Sequence, residues 1–402
     1  MDIPFSPPFI GEEEIAEVVD TLRSGWITTG PKTKIFENNI SAYCNTDRTV
    51  CLNSATAALE LTLRYLGIGE GDEVIVPAYT YTASASVVCH VGAKLVFIDS
   101  QKDDYFMDLN ALENAVTEKT KAIIPVDIAG IPSDYDKIFD IIHRKNNLFR
   151  PNSEVQKTLG RIALVCDGSH SLGSVYKGKK ACTYPDFTVF SFHAVKNLTT
   201  AEGGAVTWKD FDGIDSDEIY KQFQLMSLHG QSKDALSKIQ RGAWEYDVIG
   251  PMYKFNMTDI TASIGIRQLE KYDTFVAKRM KIAEQYTEAL SQLDIVPHIH
   301  QKDYYRGNGH LYMLRFKKND VNYRNEFIKR MADKGIACNV HYKPLPMLTA
   351  YKNLGFDIND YPNAYNLYIN EITLPIFYAL TEEQVKYIID SFKDVTEEME
   401  CC

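Results

Sequence analysis

Lys196 stands in a polar, small-residue loop, Ser191 to Gly204, directly after the apolar run Phe187 to Phe192. A strand over that run would leave Lys196 just past its C-terminal end, where open α/β sheets build their ligand sites. An amine placed there can condense with an aldehyde cofactor. Asp167 follows the apolar run Ile162 to Cys166 in the same way. A carboxylate in that crevice can keep a pyridine nitrogen protonated, so that the ring accepts electrons from a substrate carbanion. The stretch Asn53 to Leu59 opens a helix with small and hydroxyl residues, and the backbone N–H groups and dipole of such a helix start suit a phosphate. Ser191 would bring a further hydroxyl to it. Tyr79 and Tyr81, in the loop after Val74 to Val76, offer aromatic faces to a flat ring. Taken singly, each is as readily a turn, cap or packing residue. Together they supply a nucleophilic lysine, a ring-nitrogen carboxylate, a phosphate cradle and a stacking aromatic, which is the set that pyridoxal phosphate requires.

These residues need a sheet to hold them. Strands are expected at 74–76, 95–98, 122–126, 162–166 and 188–192, with helices near 54–66, 83–91, 108–116 and 133–145. Unbroken apolar runs suit strands buried on both faces of a mostly parallel sheet, and the alternation predicts a three-layer α/β domain. The polar stretch 145–159 reads as an insertion or lid, or as a disordered loop. A long helical pattern over 258–292 leads into segments at 311–316, 322–334, 337–342 and 381–396 that read as α+β. The expected division is a large cofactor-binding domain over 1–257, including an N-terminal substrate loop, and a connecting helix with a small C-terminal domain over 258–402.

The 402 residues are ample for such a core. Lys and Arg number 43 against 54 Asp and Glu, a formal charge of −11, and an acidic chain without a basic run is a poor nucleic-acid binder. The eight cysteines show no CxxC pair and no metal-ligand spacing, so no metal site is expected. Reduced, mostly buried thiols in a cytoplasmic enzyme are the expectation, with Cys401 and Cys402 on an exposed tail. Neither a signal peptide nor a transmembrane helix is indicated.

With these motifs in view, the chain resembles the DegT/DnrJ/EryC1/StrS family of nucleotide-sugar aminotransferases from about Ile10 to Phe392. The similar segments are Ser24 to Pro31, Ser54 to Leu59 and Ser191 to Gly204; the last is highly specific. The resemblance implies the aspartate-aminotransferase-like fold type I and pyridoxal 5′-phosphate as cofactor. By it, Lys196 and Asp167 are catalytic; Thr56, Ala57 and Ser191 hold the phosphate, Tyr81 stacks on the ring, and His170 lies near the ring oxygen. Thr28, Thr29, His341 and Tyr342 are implied as substrate contacts. Lys254 and Asn256, in a segment that reaches the neighbouring subunit's phosphate, imply a homodimer with shared active sites.

Many relatives carry Asn-x-Arg where this chain has Lys254-Phe255-Asn256, and several have His where Asp127 stands. The implied reaction moves an amino group from L-glutamate to a nucleotide-linked keto sugar. C4 of a UDP-linked 4-keto-6-deoxy hexose fits the closest pattern, and C3 amination is the alternative. A related dehydratase would carry His in place of Lys196. A non-catalytic or regulatory nucleotide-sugar binder, and a decarboxylase or desulfurase on the same fold, are the other readings.

Overall fold

The computed structural model describes residues 1–232 and 245–400. Its centre is a seven-stranded sheet of β1 (Thr49–Leu52), β2 (Glu73–Pro77), β3 (Lys94–Ile98), β4 (Thr120–Ile123), β5 (Ala163–Asp167), β6 (Phe187–Ser191) and β7 (Gly204–Trp208). The spatial order is β1-β7-β6-β5-β4-β2-β3. Neighbours from β6 to β3 run parallel, while β7 runs antiparallel to both β1 and β6. Hence β1, β2, β5 and β6 all end on the same edge of the sheet.

Helices α1 (Glu12–Ser24), α2 (Pro31–Cys44), α3 (Ala55–Tyr65) and α4 (Thr82–His90) belong to the N-terminal part of the chain. Successive strand side chains point to opposite faces, and the core divides accordingly. Val74 and Val76 pack in one apolar cluster with Leu59 of α3 and Val87 of α4. Ile75, between them, packs with Ile138 and Ile142 of the helix Tyr135–Arg144. Both sheet faces are therefore covered, as the unbroken apolar runs require, and the fold is α/β with a central three-layer arrangement.

A smaller antiparallel sheet of β8 (Ile295–Pro297), β9 (Tyr312–Phe316) and β10 (Glu371–Leu374) has the order β8-β9-β10. It shares a core with the helices Tyr272–Ala289, Val321–Asp333 and Glu382–Glu400, through Tyr286, Tyr312, Phe327, Ile372 and Phe392.

Several elements differ from the sequence expectation. The strand expected over 122–126 ends at Ile123, because Pro125 lacks an N–H for the ladder. The segment 337–342 makes only an isolated bridge, Asn339 to Thr373, and β10 supplies the third strand of the small sheet instead. The helical pattern over 258–292 is two helices, Asp259–Glu270 and Tyr272–Ala289. The polar stretch 145–159 is neither a lid nor a disordered loop, since it carries the helix Glu154–Leu159. Ser153 Oγ and Gln156 Nε2 both donate to the Leu66 carbonyl, at 2.8 and 2.9 Å, just past the last turn of α3. That is the end of α3 remote from Ser54, so the stretch anchors the far side of the sheet.

Cys44, Cys51, Cys89, Cys166, Cys182 and Cys338 are free thiols, four of them buried; Cys401 and Cys402 lie outside the described residues. Among the described residues no helix is long and apolar enough to cross a membrane, and no cluster of His, Cys, Asp and Glu could hold a metal ion.

Candidate active site

A cavity of about 470 Å³ opens where the strands β1, β2, β5 and β6 end. Lys196, Asp167, His170, Ser191, Thr56 and Tyr81 line it, and so do His341 and Tyr342 from the segment 337–342. The chemistry-bearing residues of four separate strand ends thus share one space.

The loop after β6 positions the lysine. Its backbone folds back on itself, with Lys196 N–H donating to the His193 carbonyl at 2.9 Å and Thr200 N–H to the Phe192 carbonyl at 2.9 Å. Next to the lysine, Asn197 Nδ2 donates to the Asn308 carbonyl at 3.1 Å, and its Oδ1 meets His310 Nδ1 at 2.9 Å. These bonds pin the residue following Lys196 to a distant part of the chain. Burial pushes the Lys196 amine down to about 8, although the Asp167 carboxylate pulls it upward.

The neutral amine is the nucleophile toward an aldehyde. In the folded chain Lys196 therefore sheds its proton near pH 8, where the ordinary lysine value is 10.5. Between those values the unfolded chain binds the extra proton, so the apoprotein gains stability from this group as pH rises through that window. The rate of pyridoxal phosphate uptake by apoprotein, followed by visible absorbance, is expected to rise with pH and level off above about 8. A rate still climbing steadily toward 10.5 would mean that the amine is not desolvated.

Asp167 is 5% exposed. Its Oδ2 accepts from Ser84 Oγ at 2.6 Å and its Oδ1 from the Ser169 N–H at 3.1 Å. Ser84, inside α4, also meets Thr80 Oγ1 at 3.0 Å. His170 Nδ1 accepts from the Ala129 N–H at 3.3 Å, and burial, Lys196 and His341 hold its pKa well below the ordinary value. The ring is thus neutral with its proton on Nε2, which donates to the Tyr342 hydroxyl at 3.2 Å. Tyr342 keeps its own proton free for the cavity.

At the start of α3, Ser54 Oγ accepts from the Ala57 N–H at 3.1 Å. Ala57 does not line the cavity, and its amide is spent on this cap; the first-turn amides of Ala55 and Thr56 have no intrahelical acceptor. The first turn holds no acidic residue, which leaves the positive end of the helix dipole available to an anion. A Cβ on Gly204 would lie 2.3 Å from the Ala55 nitrogen. Only glycine lets β7 approach this helix start, closing the floor of the cradle.

The remaining expected residues lie elsewhere in the single chain. Asn256 Nδ2 donates to Thr29 Oγ1 at 2.5 Å, and Thr29 Oγ1 to the Met257 carbonyl at 2.5 Å, so the two are tied to each other. Thr28 and Lys254 are exposed. None of these four lines the cavity. Asp127 is fully buried and accepts from the Ser133 N–H at 2.9 Å, from Ser171 Oγ at 2.7 Å and from the Tyr135 hydroxyl. Ser84 and His310 carry no sequence signal, and the motif that contains Asn197 does not reveal its tie to His310, because their partners come from remote segments.

A lysine amine, a carboxylate, a helix start with a serine hydroxyl and an aromatic ring around one cavity fit pyridoxal 5′-phosphate. Lys196 could hold its aldehyde, Asp167 its ring nitrogen, and Ala55, Thr56 and Ser191 its phosphate. The fold and this site define an aminotransferase-type pyridoxal-phosphate enzyme.

Comparison with known proteins narrows the class. The DegT/DnrJ/EryC1/StrS aminotransferase family matches residues 8–393. Spore coat polysaccharide biosynthesis protein SpsC of Bacillus subtilis is 36% identical over 400 residues, covering 98% of this chain and 97% of its own. Spr1654 of Streptococcus pneumoniae, provisionally assigned as a sugar aminotransferase, has been solved in a pyridoxamine-phosphate form. That form is 56% identical, with a TM-score of 0.96 over 99% of this chain and 100% of its own. In its pyridoxal-phosphate form it is 54% identical, with a TM-score of 0.96 over 99% of both chains. PseC of Helicobacter pylori, an aminotransferase involved in the biosynthesis of pseudoaminic acid, is 28% identical, with a TM-score of 0.85 over 99% of this chain and 100% of its own. The chain belongs to the DegT/DnrJ/EryC1/StrS aminotransferase family.

Proposed function

We propose that the protein is a pyridoxal-phosphate-dependent sugar aminotransferase that moves an amino group from L-glutamate to a nucleotide-linked keto sugar. C4 of a UDP-linked 4-keto-6-deoxy hexose is the preferred acceptor, and the products are 2-oxoglutarate and an amino sugar. The observation that carries this reading is that Lys196 and Asp167 line one cavity with the start of α3, close enough for the carboxylate to act on the amine. The names of SpsC and PseC, which concern spore coat polysaccharide biosynthesis and pseudoaminic acid biosynthesis, support a role in cell-surface glycan synthesis.

When bound, the cofactor supplies an aldehyde that takes up the amino group and a ring that accepts electrons. Asp167 holds the ring-nitrogen proton, and Ser84 and Ser169 hold Asp167. Lys196 Nζ, once neutral, takes the proton from the α-carbon of glutamate in the first half-reaction. In the second it returns a proton to the sugar carbon that receives nitrogen. A burial-lowered pKa suits both transfers. The presence of lysine, where a dehydratase relative would have histidine, favours amination over deoxygenation.

The direct test is a panel of UDP- and dTDP-linked 4-keto and 3-keto sugars with glutamate, read by product mass. The UDP-linked 4-keto sugar is expected to gain an amine. Amination confined to a 3-keto sugar would move the reaction to C3. No amination of any keto sugar by cofactor-loaded protein would end the reading.

The reading includes a homodimer whose sites are shared. Ile15, Val19 and Leu22 form an exposed apolar stripe along α1, at 47, 36 and 52% exposure, and such a face favours a partner. Lys254 is exposed and outside its own chain's cavity, as a residue serving a neighbouring site would be. Mixing Lys196→Ala subunits with Lys254→Ala subunits is expected to restore activity, since a mixed dimer then regains one native site. Activity no greater than the sum of the separate variants would remove the shared site.

A further inference from the structure

His341 enters the cavity from the segment 337–342, and its surroundings constrain it at every polar atom but one. The backbone N–H donates to Glu371 Oε2 at 2.8 Å, the backbone carbonyl accepts from the Tyr79 hydroxyl at 2.9 Å, and the ring stacks on Phe5 with centroids 5.4 Å apart. On the side chain, Nδ1 lies 2.9 Å from Thr373 Oγ1. Thr373 Oγ1 in turn bonds Glu371 Oε1. Nε2 is the ring nitrogen left for the cavity.

The chain of atoms runs from carboxyl to hydroxyl to imidazole, and the hydroxyl has a single proton. If Glu371 is ionised, Thr373 must donate to it and can only accept from His341, so the imidazole carries its proton on Nδ1 and offers a lone pair at Nε2. If Glu371 is protonated at Oε1, it donates to Thr373, which then donates to Nδ1, and the imidazole carries its proton on Nε2. We propose that Thr373 and Glu371 are positioning residues that set the tautomer of His341, so that one proton on Glu371 decides whether the cavity meets a hydrogen-bond acceptor or a donor. The substrate atom opposite Nε2, a sugar hydroxyl under the function proposed above, would be accepted or refused by that choice.

The surrounding groups permit this. Glu371 is fully buried, and burial pushes its carboxyl up to about 8 against the pull of its hydrogen bonds and of Arg324. Arg324, from the helix Val321–Asp333, donates to the Glu371 carbonyl at 3.0 Å. Tyr79, Tyr105, Tyr342 and Cys338 also face Glu371, and burial raises all four, the thiol to about 12. His341 is held at about 3 by burial and by Lys196, so it stays neutral while Glu371 titrates. Lys196 also faces this histidine, with a free amine pushed down to about 8 by burial; in the cofactor-loaded protein that amine is engaged with the cofactor and does not titrate there.

The test is nitrogen NMR of the cofactor-loaded protein carrying 15N-histidine, with His341 identified by the signal missing in His341→Gln. As pH rises from about 7 to about 9, His341 is expected to exchange its Nε2–H form for its Nδ1–H form. Thr373→Val, which keeps the side-chain shape and breaks the proton chain, is expected to hold one tautomer throughout, and Thr373→Ser to restore the exchange. A titration elsewhere in the site would persist in Thr373→Val, so an exchange that survives there overturns the proposal. A single unchanging tautomer in the natural protein overturns it as well. Neither result depends on substrate, so the proposed sugar can fail without affecting this outcome.

Discussion

Lys196→Ala is expected to keep the fold, lose the visible absorbance of bound pyridoxal phosphate and lower turnover by about 10³-fold or more, the upper range for removing a positioned acid–base group together with its covalent role. The fold should survive because Lys196 makes no ion pair among the described residues and its amine is held at about 8 by desolvation. Removing such a group relieves a cost. The loop around it is tied by backbone bonds and by Asn197, which alanine leaves intact. Lys196→Arg gives a sharper control, since the guanidinium remains charged at any working pH and cannot serve as nucleophile or base. The measurements are a thermal melt, an absorbance spectrum and the donor half-reaction in a single turnover. Natural turnover in either variant would remove Lys196 from the chemistry. A melt lowered by several kcal/mol would show instead that the lysine is structural.

The site's main axis was legible because it depends on strand ends. Runs such as Val74 to Val76 and Ala163 to Cys166 are apolar at every position, and a parallel sheet places whatever follows them on one edge. The residues just after them could therefore be read as neighbours although they are far apart in sequence. β1 and β7 were not expected, because Thr49–Leu52 is short and Gly204–Trp208 begins on the second glycine of a Gly203-Gly204 pair that reads as a turn. Their antiparallel pairing brings Gly204 against the start of α3, a close approach that no local pattern announces. The segment 337–342 has the composition of a strand, yet Asn339 alone bridges Thr373. What claims its backbone instead is Glu371, a carboxylate that takes the His341 N–H. Ser84 was hidden for a related reason: a serine inside a helix signals nothing until Asp167 arrives beside it from β5.

Asp167→Asn separates charge from shape at that position. In the natural protein Oδ1 accepts from the Ser169 N–H and Oδ2 from Ser84 Oγ, and Ser84 also meets Thr80 Oγ1 at 3.0 Å. An asparagine can direct its carbonyl at the Ser169 N–H and its amide at Ser84. The Ser84 hydroxyl then accepts from the amide and donates to Thr80, so every polar atom keeps a partner. The melt is therefore expected to move little. What the amide cannot do is balance a positive charge on the ring nitrogen; instead it presents a donor toward another donor. Removing one partner of a buried pair costs about 3 to 5 kcal/mol, which at about 1.4 kcal/mol per tenfold corresponds to a loss of roughly 10² to 4 × 10³ in rate. The loss should fall on the step that takes the proton from glutamate, measured as slower single-turnover conversion of donor, while the Schiff-base link to Lys196 still forms and remains visible. An unchanged single-turnover rate would mean that the ring nitrogen does not rely on Asp167. A large drop in the melt would mean that Ser84 cannot reverse its bond, and that the carboxylate is needed first to hold α4 against β5.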